Sequence, residues 1–308
     1  MNKNSAILLL ICAALAVGEF FVFSKKVTRH GESKNLENRV LTQPKDHYAS
    51  RDEIAQQLAI WTKEIPYLTE VDSYGTTADN NSCLYFRVGT KDKPKILIQS
   101  GLDPNEECAI LCNLNLIYRF LSEYHLNPEV KWLVHNRDIY FVPLANPDGF
   151  QTKTSKNELL NVFPSPKNLN PKICSSSKLL MEFANAKKFQ GSLNLHTFGE
   201  HILPPSIAND SDAKQIYNLV DKMCGKNGYL TKQIRNQDGD GNDTDYLYST
   251  GACSITMQVG QDSKSFVSYS ETKPTVNRIY SSVLMFMKEA AEIDLNPQPL
   301  KTIYFYNN

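Results

Sequence analysis

Asp103 and Glu106 are two carboxylates three residues apart at the start of a long segment with helical apolar spacing, and His196 directly follows the strand-like run Ser192-Leu193-Asn194-Leu195. Three-residue spacing puts two side chains on one side of a helical turn, where they can converge on a single metal ion. A neutral imidazole facing two carboxylates is a set of donor types that binds Zn²⁺ and leaves a fourth position for water. Each residue also has an ordinary reading. Acidic side chains in a first turn stabilise a helix against its own dipole, Asp103 is suited to an N-cap, and a histidine at a strand end commonly serves as a hydrogen-bonded structural residue. Spacing alone leaves both readings open, so the surrounding elements matter.

Residues 47–68 carry Ile54, Leu58, Trp61 and Ile65 at helical spacing, with Pro66 as the stop. Strands are expected at 82–88 and at Lys95–Gln99, then a loop at 100–105 and a helix from about Glu106 to Tyr124. A helix at 130–136, a buried strand at 138–143 and an Asn146-Pro147-Asp148-Gly149 turn follow. Residues 151–172 are polar and Asn/Lys-rich, without a structural pattern. Beyond them the reading gives helices at 175–188, 212–227, 244–249 and 275–292, strands at 191–195 and 254–259, and a Gly/Asp-rich loop at 236–243. Alternating strands and helices imply an α/β sheet with helices on both faces. Ligands of open α/β sheets sit beyond the carboxyl ends of the strands, which directs attention to the loops after Gln99, Pro143, Leu195 and Val259.

Five blocks, in order, resemble the zinc metallocarboxypeptidases of the carboxypeptidase A, B and D type. They are DHYASRDEIAQQLAIWTKEIPYLTEVDSYGTT, KILIQSGLDPNEECAILCNLNLIYRFL, VKWLVHNRDIYFVPLANPDGF, QGSLNLHTFGEHILPP and DTDYLYSTGACSITMQV, spread from about residue 47 to 290. The resemblance implies a metallocarboxypeptidase-like mixed central sheet with helices on both faces. It also implies removal of C-terminal residues from peptides, with zinc and a base glutamate activating water. It makes Asp103, Glu106 and His196 the metal positions, with Asp103 standing where the family has histidine. A second carboxylate makes the donor set harder and admits zinc, another divalent ion or no metal. The family's base glutamate falls at Gln258, and an amide orients water but does not accept its proton at neutral pH. The family's arginines also lack counterparts. No arginine lies between Phe150 and Phe163, and its Asn-Arg-Asn-Phe-Pro motif reads Leu160-Asn161-Val162-Phe163-Pro164. Lys153 and Lys156 are read as solvated loop lysines. The family's mobile tyrosine has no match around Ile234-Arg235-Asn236-Gln237, and Arg235 is read as a surface charge. Asp245 and Tyr246 match a position beside the family's specificity pocket and serve equally as a helix start.

Lys+Arg and Asp+Glu both total 33, so the formal net charge is zero and nothing favours nucleic acid as a partner. Lys3, the apolar run Ala6–Val17 and the small residues Ala14, Ala16 and Gly18 have the parts of a secretory signal peptide, residues 1–18. The rival is an uncleaved anchor at 6–23, the only expected membrane contact, though Glu19 interrupts that stretch and a charge at mid-bilayer costs about 3 kcal/mol. Both place the domain outside the cytoplasm, secreted or periplasmic in the first case and membrane-anchored in the second. A linker at 19–46, a domain at 47–294 and a tail at 295–308 complete the organisation. Besides Cys12 in the leader, Cys83, Cys108, Cys112, Cys174, Cys224 and Cys253 permit disulfides in an exported chain and are equally readable as buried thiols. Asn80, Asn209 and Asn242 begin glycosylation acceptor triplets.

Three functions are therefore expected in turn. The first is a catalytically impaired carboxypeptidase-like protein that binds a peptide or protein C-terminus or a metal. The second is an active metallopeptidase with a variant Asp/Glu/His site and another base, such as Asp262 or Glu271. The third is a non-enzymatic exported binding domain.

Overall fold

Ser50 accepts a hydrogen bond from the Glu53 amide while the Glu53 carboxylate reaches back to the Ser50 amide, and this capping box starts α1 (Arg51–Glu64). The computed structural model describes residues 41–152, 163–166, 168–169, 171, 173–206, 208–231, 241–261, 269–297 and 300. In chain order α1 is followed by β1 (Thr69–Thr76), β2 (Ser82–Gly89), β3 (Lys95–Gln99), α2 (Glu107–Glu123), α3 (Pro128–Asn136), β4 (Asp138–Val142), α4 (Pro147–Thr152) and α5 (Ser175–Lys187). The second half holds β5 (Gly191–Thr197), β6 (His201–Leu203), α6 (Asp210–Asn227), β7 (Leu230–Thr231), α7 (Asp243–Ser249), β8 (Cys253–Val259) and α8 (Tyr269–Glu289), closed by a 3₁₀ turn at Ala290–Glu292.

The eight strands form one mixed sheet in the order β1-β2-β4-β3-β5-β8-β6-β7. Its centre, β4-β3-β5-β8, is parallel, and antiparallel strands flank it. Parallel strands are covered on both faces, so they read as continuous apolar runs, as in Asp138–Val142, where every residue is buried. Side chains alternate between the two faces. Ile96, Ile98, Leu193, Leu195, Ile255 and Met257 pack with α1, α2, α3, α6 and α8 in the larger core. Leu97, Tyr140 and Val142 face the other way, onto α5 and α7. Helices therefore cover both faces, as the sequence implies.

Several boundaries differ from the sequence reading. Asn146-Pro147-Asp148-Gly149 opens α4 rather than a free turn, because proline fits the first helical position, where no amide is needed. Strands β1, β6 and β7 were not expected from pattern alone, and α8 begins at Tyr269 and runs through Pro274. The packed chain is wider than 47–294. Leu41 lies in the core, Thr42 O accepts from the Trp61 indole at 2.8 Å, and the Asn296 amide donates to Asp212 at 3.0 Å. The leader, its alternative anchor and most of the linker lie outside the described residues, as do Lys153, Lys156, Arg235 and Asp262. Among the described residues no helix is long and apolar enough to cross a membrane. The six cysteines of the described residues are free thiols, four of them buried. Asn80 is exposed, whereas Asn209 and Asn242 cap α6 and α7, and their amide groups donate within the fold.

Candidate metal centre

The strand-to-helix connection after β3 brings the carboxylates to the carboxyl ends of the central strands. Gly101 takes φ +65°, a left-handed conformation that L side chains resist, and a Cβ there would meet Ile110 Cγ1 at 2.8 Å. The Asn146 side chain donates to Leu102 O at 3.0 Å and accepts from the Gly149 amide and the Ser176 hydroxyl, each at 3.0 Å. The Asn-Pro-Asp-Gly motif thus fixes the segment that carries Asp103. Asp148 of the same motif accepts from Thr77 Oγ1 at 2.7 Å and Asn81 Nδ2 at 2.5 Å, tying α4 to the β1–β2 hairpin.

Glu106 occupies the N-cap position of α2 but makes no capping bond. Its buried carboxylate instead lies 2.8 Å from His196 Nδ1 and accepts from the Thr197 amide at 3.1 Å and the Asp103 amide at 3.3 Å. The Glu106 side chain is therefore not used as a helix cap. Donor atoms of Asp103, Glu106 and His196 all lie within 4.8 Å of one another. Two carboxylates and one imidazole converging this closely suit a divalent cation, and three protein donors leave room for a further ligand.

His196 Nε2, on the far side of the ring, lies 3.2 Å from Asp243 Oδ2. Burial opposes a charge on this ring. The carboxylates of Glu106 and Asp243 outweigh it and hold the imidazole pKa well above the ordinary histidine value. Asp243 is buried and also accepts from Gln99 Nε2 at 2.7 Å and the Thr244 amide at 2.9 Å. Neither Asp243 nor Gln99 was singled out from the sequence. A signal for Gln99 was present: polar residues alternate with apolar ones in Asn194-Leu195-His196 and Thr256-Met257-Gln258, and Gln99 follows the apolar run Ile96-Leu97-Ile98. Those polar residues share the α5/α7 face of the sheet, and beneath the site Asn194 donates to Thr244 Oγ1 at 2.7 Å and Ser254 Oγ at 3.1 Å.

Gln258 pairs with His196 across the β5–β8 ladder and with His201 across β8–β6. Directly paired residues share a face, so His196, Gln258 and His201 form one row. His135 Nε2 lies 3.4 Å from the Tyr124 hydroxyl. Asp245 binds the Ser206 amide and hydroxyl at 2.6 and 2.5 Å, and the Tyr246 hydroxyl accepts from Asn185 at 2.9 Å. Both therefore work as helix-start and packing residues. Glu271 sits in the first turn of α8.

The zinc carboxypeptidase family model matches residues 54–175, the segment that carries Asp103, Glu106 and the Asn-Pro-Asp-Gly motif. Metallocarboxypeptidase A of Arthroderma otae is 32% identical over 76 residues, which is 25% of this chain and 18% of that protein. Carboxypeptidase A2 of Rattus norvegicus is 27% identical over 114 residues, 36% of this chain and 27% of that protein. The matched stretches thus span less than a third of those relatives' own length. Among solved structures, bovine thrombin-activatable fibrinolysis inhibitor, in complex with tick carboxypeptidase inhibitor, superposes with TM-score 0.70 at 16% identity, over 80% of this chain and 98% of that one. Carboxypeptidase A from Helicoverpa armigera gives TM-score 0.68 at 18% identity, over 79% and 73%. The fold is therefore the α/β metallocarboxypeptidase fold, and residues 54–175 carry the match to the zinc carboxypeptidase family.

Proposed function

We propose that this chain is an exported carboxypeptidase-like protein that keeps a divalent-metal site at Asp103, Glu106 and His196, with zinc the expected ion, but hydrolyses peptides poorly or not at all. The observation that carries this reading is Gln258, an amide on the strand next to His196 and in register with it. When bound, the ion supplies Lewis acidity to the cleft. The three donors would hold it, with Asp243 beside His196 and the Thr197 amide on Glu106 orienting two of them, and Gln258 would hold a water by hydrogen bonds without accepting its proton. Loss of a general base typically costs about 10²–10⁴-fold in rate. Missing arginines remove cationic stabilisation of developing negative charge, another large electrostatic contribution. What remains suits recognition of a peptide or protein C-terminus more than its turnover.

Metal analysis of the purified protein, paired with a carboxypeptidase assay on C-terminally blocked and unblocked peptides, tests this. Bound metal with no chelator-sensitive release of C-terminal residues is the expected outcome. Absence of metal under saturating zinc would remove the metal half of the reading.

A further inference from the structure

We infer that the end of the sheet opposite the metal centre is a docking face for an anionic membrane surface, carried by Lys93, Lys95, Lys187, Lys188 and Lys288, with Trp132 as its interfacial anchor. Formal charge balances over the chain, but it is not evenly placed. Asp103, Glu106 and Asp243 gather toward the carboxyl ends of the central strands, whereas these lysines gather at the amino ends. Backbone pairing fixes the second group. Lys95 opens β3 in register with Asp138, the first residue of β4, and its carbonyl accepts from the Gln190 amide at 2.9 Å just ahead of β5. Lys187 ends α5 and Lys188 caps it, so both lie beside Gln190. Arg137, next to Asp138, donates to the Met287 carbonyl at 3.0 Å and thereby brings Lys288 to the same end. None of the five lysines makes an ion pair among the described residues. Nearby acids are engaged: Asp138 with Arg87 at 2.6 Å, Glu70 with Lys91 at 3.2 Å, Glu292 with Arg137 at 2.6 Å and Glu289 with Lys222 at 2.9 Å. Asp92 stays exposed and unpaired among the described residues, so the face carries a surplus of positive charge.

Lysines alone suit any polyanion, and two observations favour a lipid surface. Trp132 is 40% exposed, and its ring lies 5.0 Å from Arg137 Cζ and 5.7 Å from Lys288 Nζ. An indole flanked by cations fits the headgroup level of a bilayer, where tryptophan is enriched. The chain also enters the folded unit at this end. The Thr42 amide donates to Glu64 at 3.2 Å where α1 finishes, and the Leu68 carbonyl just beyond accepts from the Gly89 amide. An anchor retained at 6–23 would thus tether the domain by its basic end. Docking there leaves the cleft toward solvent, because β3 separates the two ends by about 3.3 Å for each of its 5 residues. Nothing in this inference depends on the metal site.

The test uses the purified full chain with vesicles of phosphatidylcholine, alone or mixed with phosphatidylglycerol, brominated near the headgroup. Of the 2 tryptophans, Trp61 is fully buried, so quenching reports Trp132, and Trp132→Phe should remove the signal. A retained leader inserts into both kinds of vesicle and does not supply a difference between them. Quenching is expected on the anionic vesicles and not on the neutral ones, and it should fall as salt rises. Lys93→Gln combined with Lys188→Asn should need roughly 25-fold more anionic lipid, since each lysine near such a surface contributes about fivefold. Asparagine suits position 188, where φ is 56°, and circular dichroism checks the fold. The inference is overturned by no quenching on anionic vesicles, by equal quenching on neutral ones, or by an unchanged lipid requirement in the folded double variant. Displacement from the vesicles by a soluble sulfated polysaccharide at equal charge would also overturn it, since the face would then belong to a different polyanion.

Discussion

His196 lies between two carboxylates, and that arrangement determines how the metal-free protein responds to pH. Its folded pKa is held well above the ordinary value by Glu106 and Asp243 against the opposing effect of burial. The unfolded value is about 6.5. A histidine pKa raised by folding contributes stability that is fully present below the unfolded value and is lost as pH rises through the folded one. Thermal unfolding of the metal-free domain should therefore show a midpoint that falls from neutral to alkaline pH, and His196→Gln should flatten that slope. A metal competes with the same proton, so zinc binding near pH 7 should release protons, measurable by calorimetry in buffers of different ionisation enthalpy. Gln258 belongs to the same scale. With Asp103→His, Gln258→Glu restores the family's donor and base types. The pair should give detectable chelator-sensitive carboxypeptidase activity, still limited by the missing arginines. Neither single change should match the pair, because both parts must be present together.

The elements decide whether those residues meet. The β3–α2 connection depends on Gly101 at φ +65° and on its close approach to Ile110. Left-handed backbone costs an L residue about 1–2 kcal/mol, and the contact adds to it. Gly101→Ala should lower unfolding free energy by at least that amount in denaturant titration, and should weaken zinc binding because Asp103 is two residues away. Elements with strong periodicity were legible in the sequence: Lys95–Gln99 has the expected bounds, and α2 differs from expectation by one residue at each end. The short edge strands β6 and β7 were not, since three and two residues carry no usable pattern. Asp103, Glu106 and His196 were legible as types, and their convergence was implied by the family resemblance. Asp243 was hidden because an acid opening a helix has a sufficient local explanation in the helix dipole. Its partnership with His196, 47 residues earlier, is a tertiary fact.

At the scale of the molecule, the sheet gathers chemistry on one face and apolar packing on the other. The larger core joins α1, α2, α3, α6 and α8 to the sheet, and the opposite face turns polar toward the carboxyl ends of β3, β5 and β8. The packed unit also takes in residues that composition marks as linker. Removing residues 41–46 deletes Leu41 from the core and the Thr42 carbonyl that satisfies the Trp61 indole. Burying an aliphatic side chain is worth about 1.5–3 kcal/mol, so a chain beginning at His47 should melt several degrees lower than one beginning at Leu41. The polar, Asn/Lys-rich composition of residues 24–47 conceals this, because one leucine at its end carries the contact. A site that holds a metal but lacks a base is best probed by release of the C-terminal residue from an unblocked peptide by the unmodified, zinc-saturated protein, with and without chelator. Zinc should be retained, with no release above the chelated control. Substantial release that the chelator abolishes would mean that the site is a working peptidase.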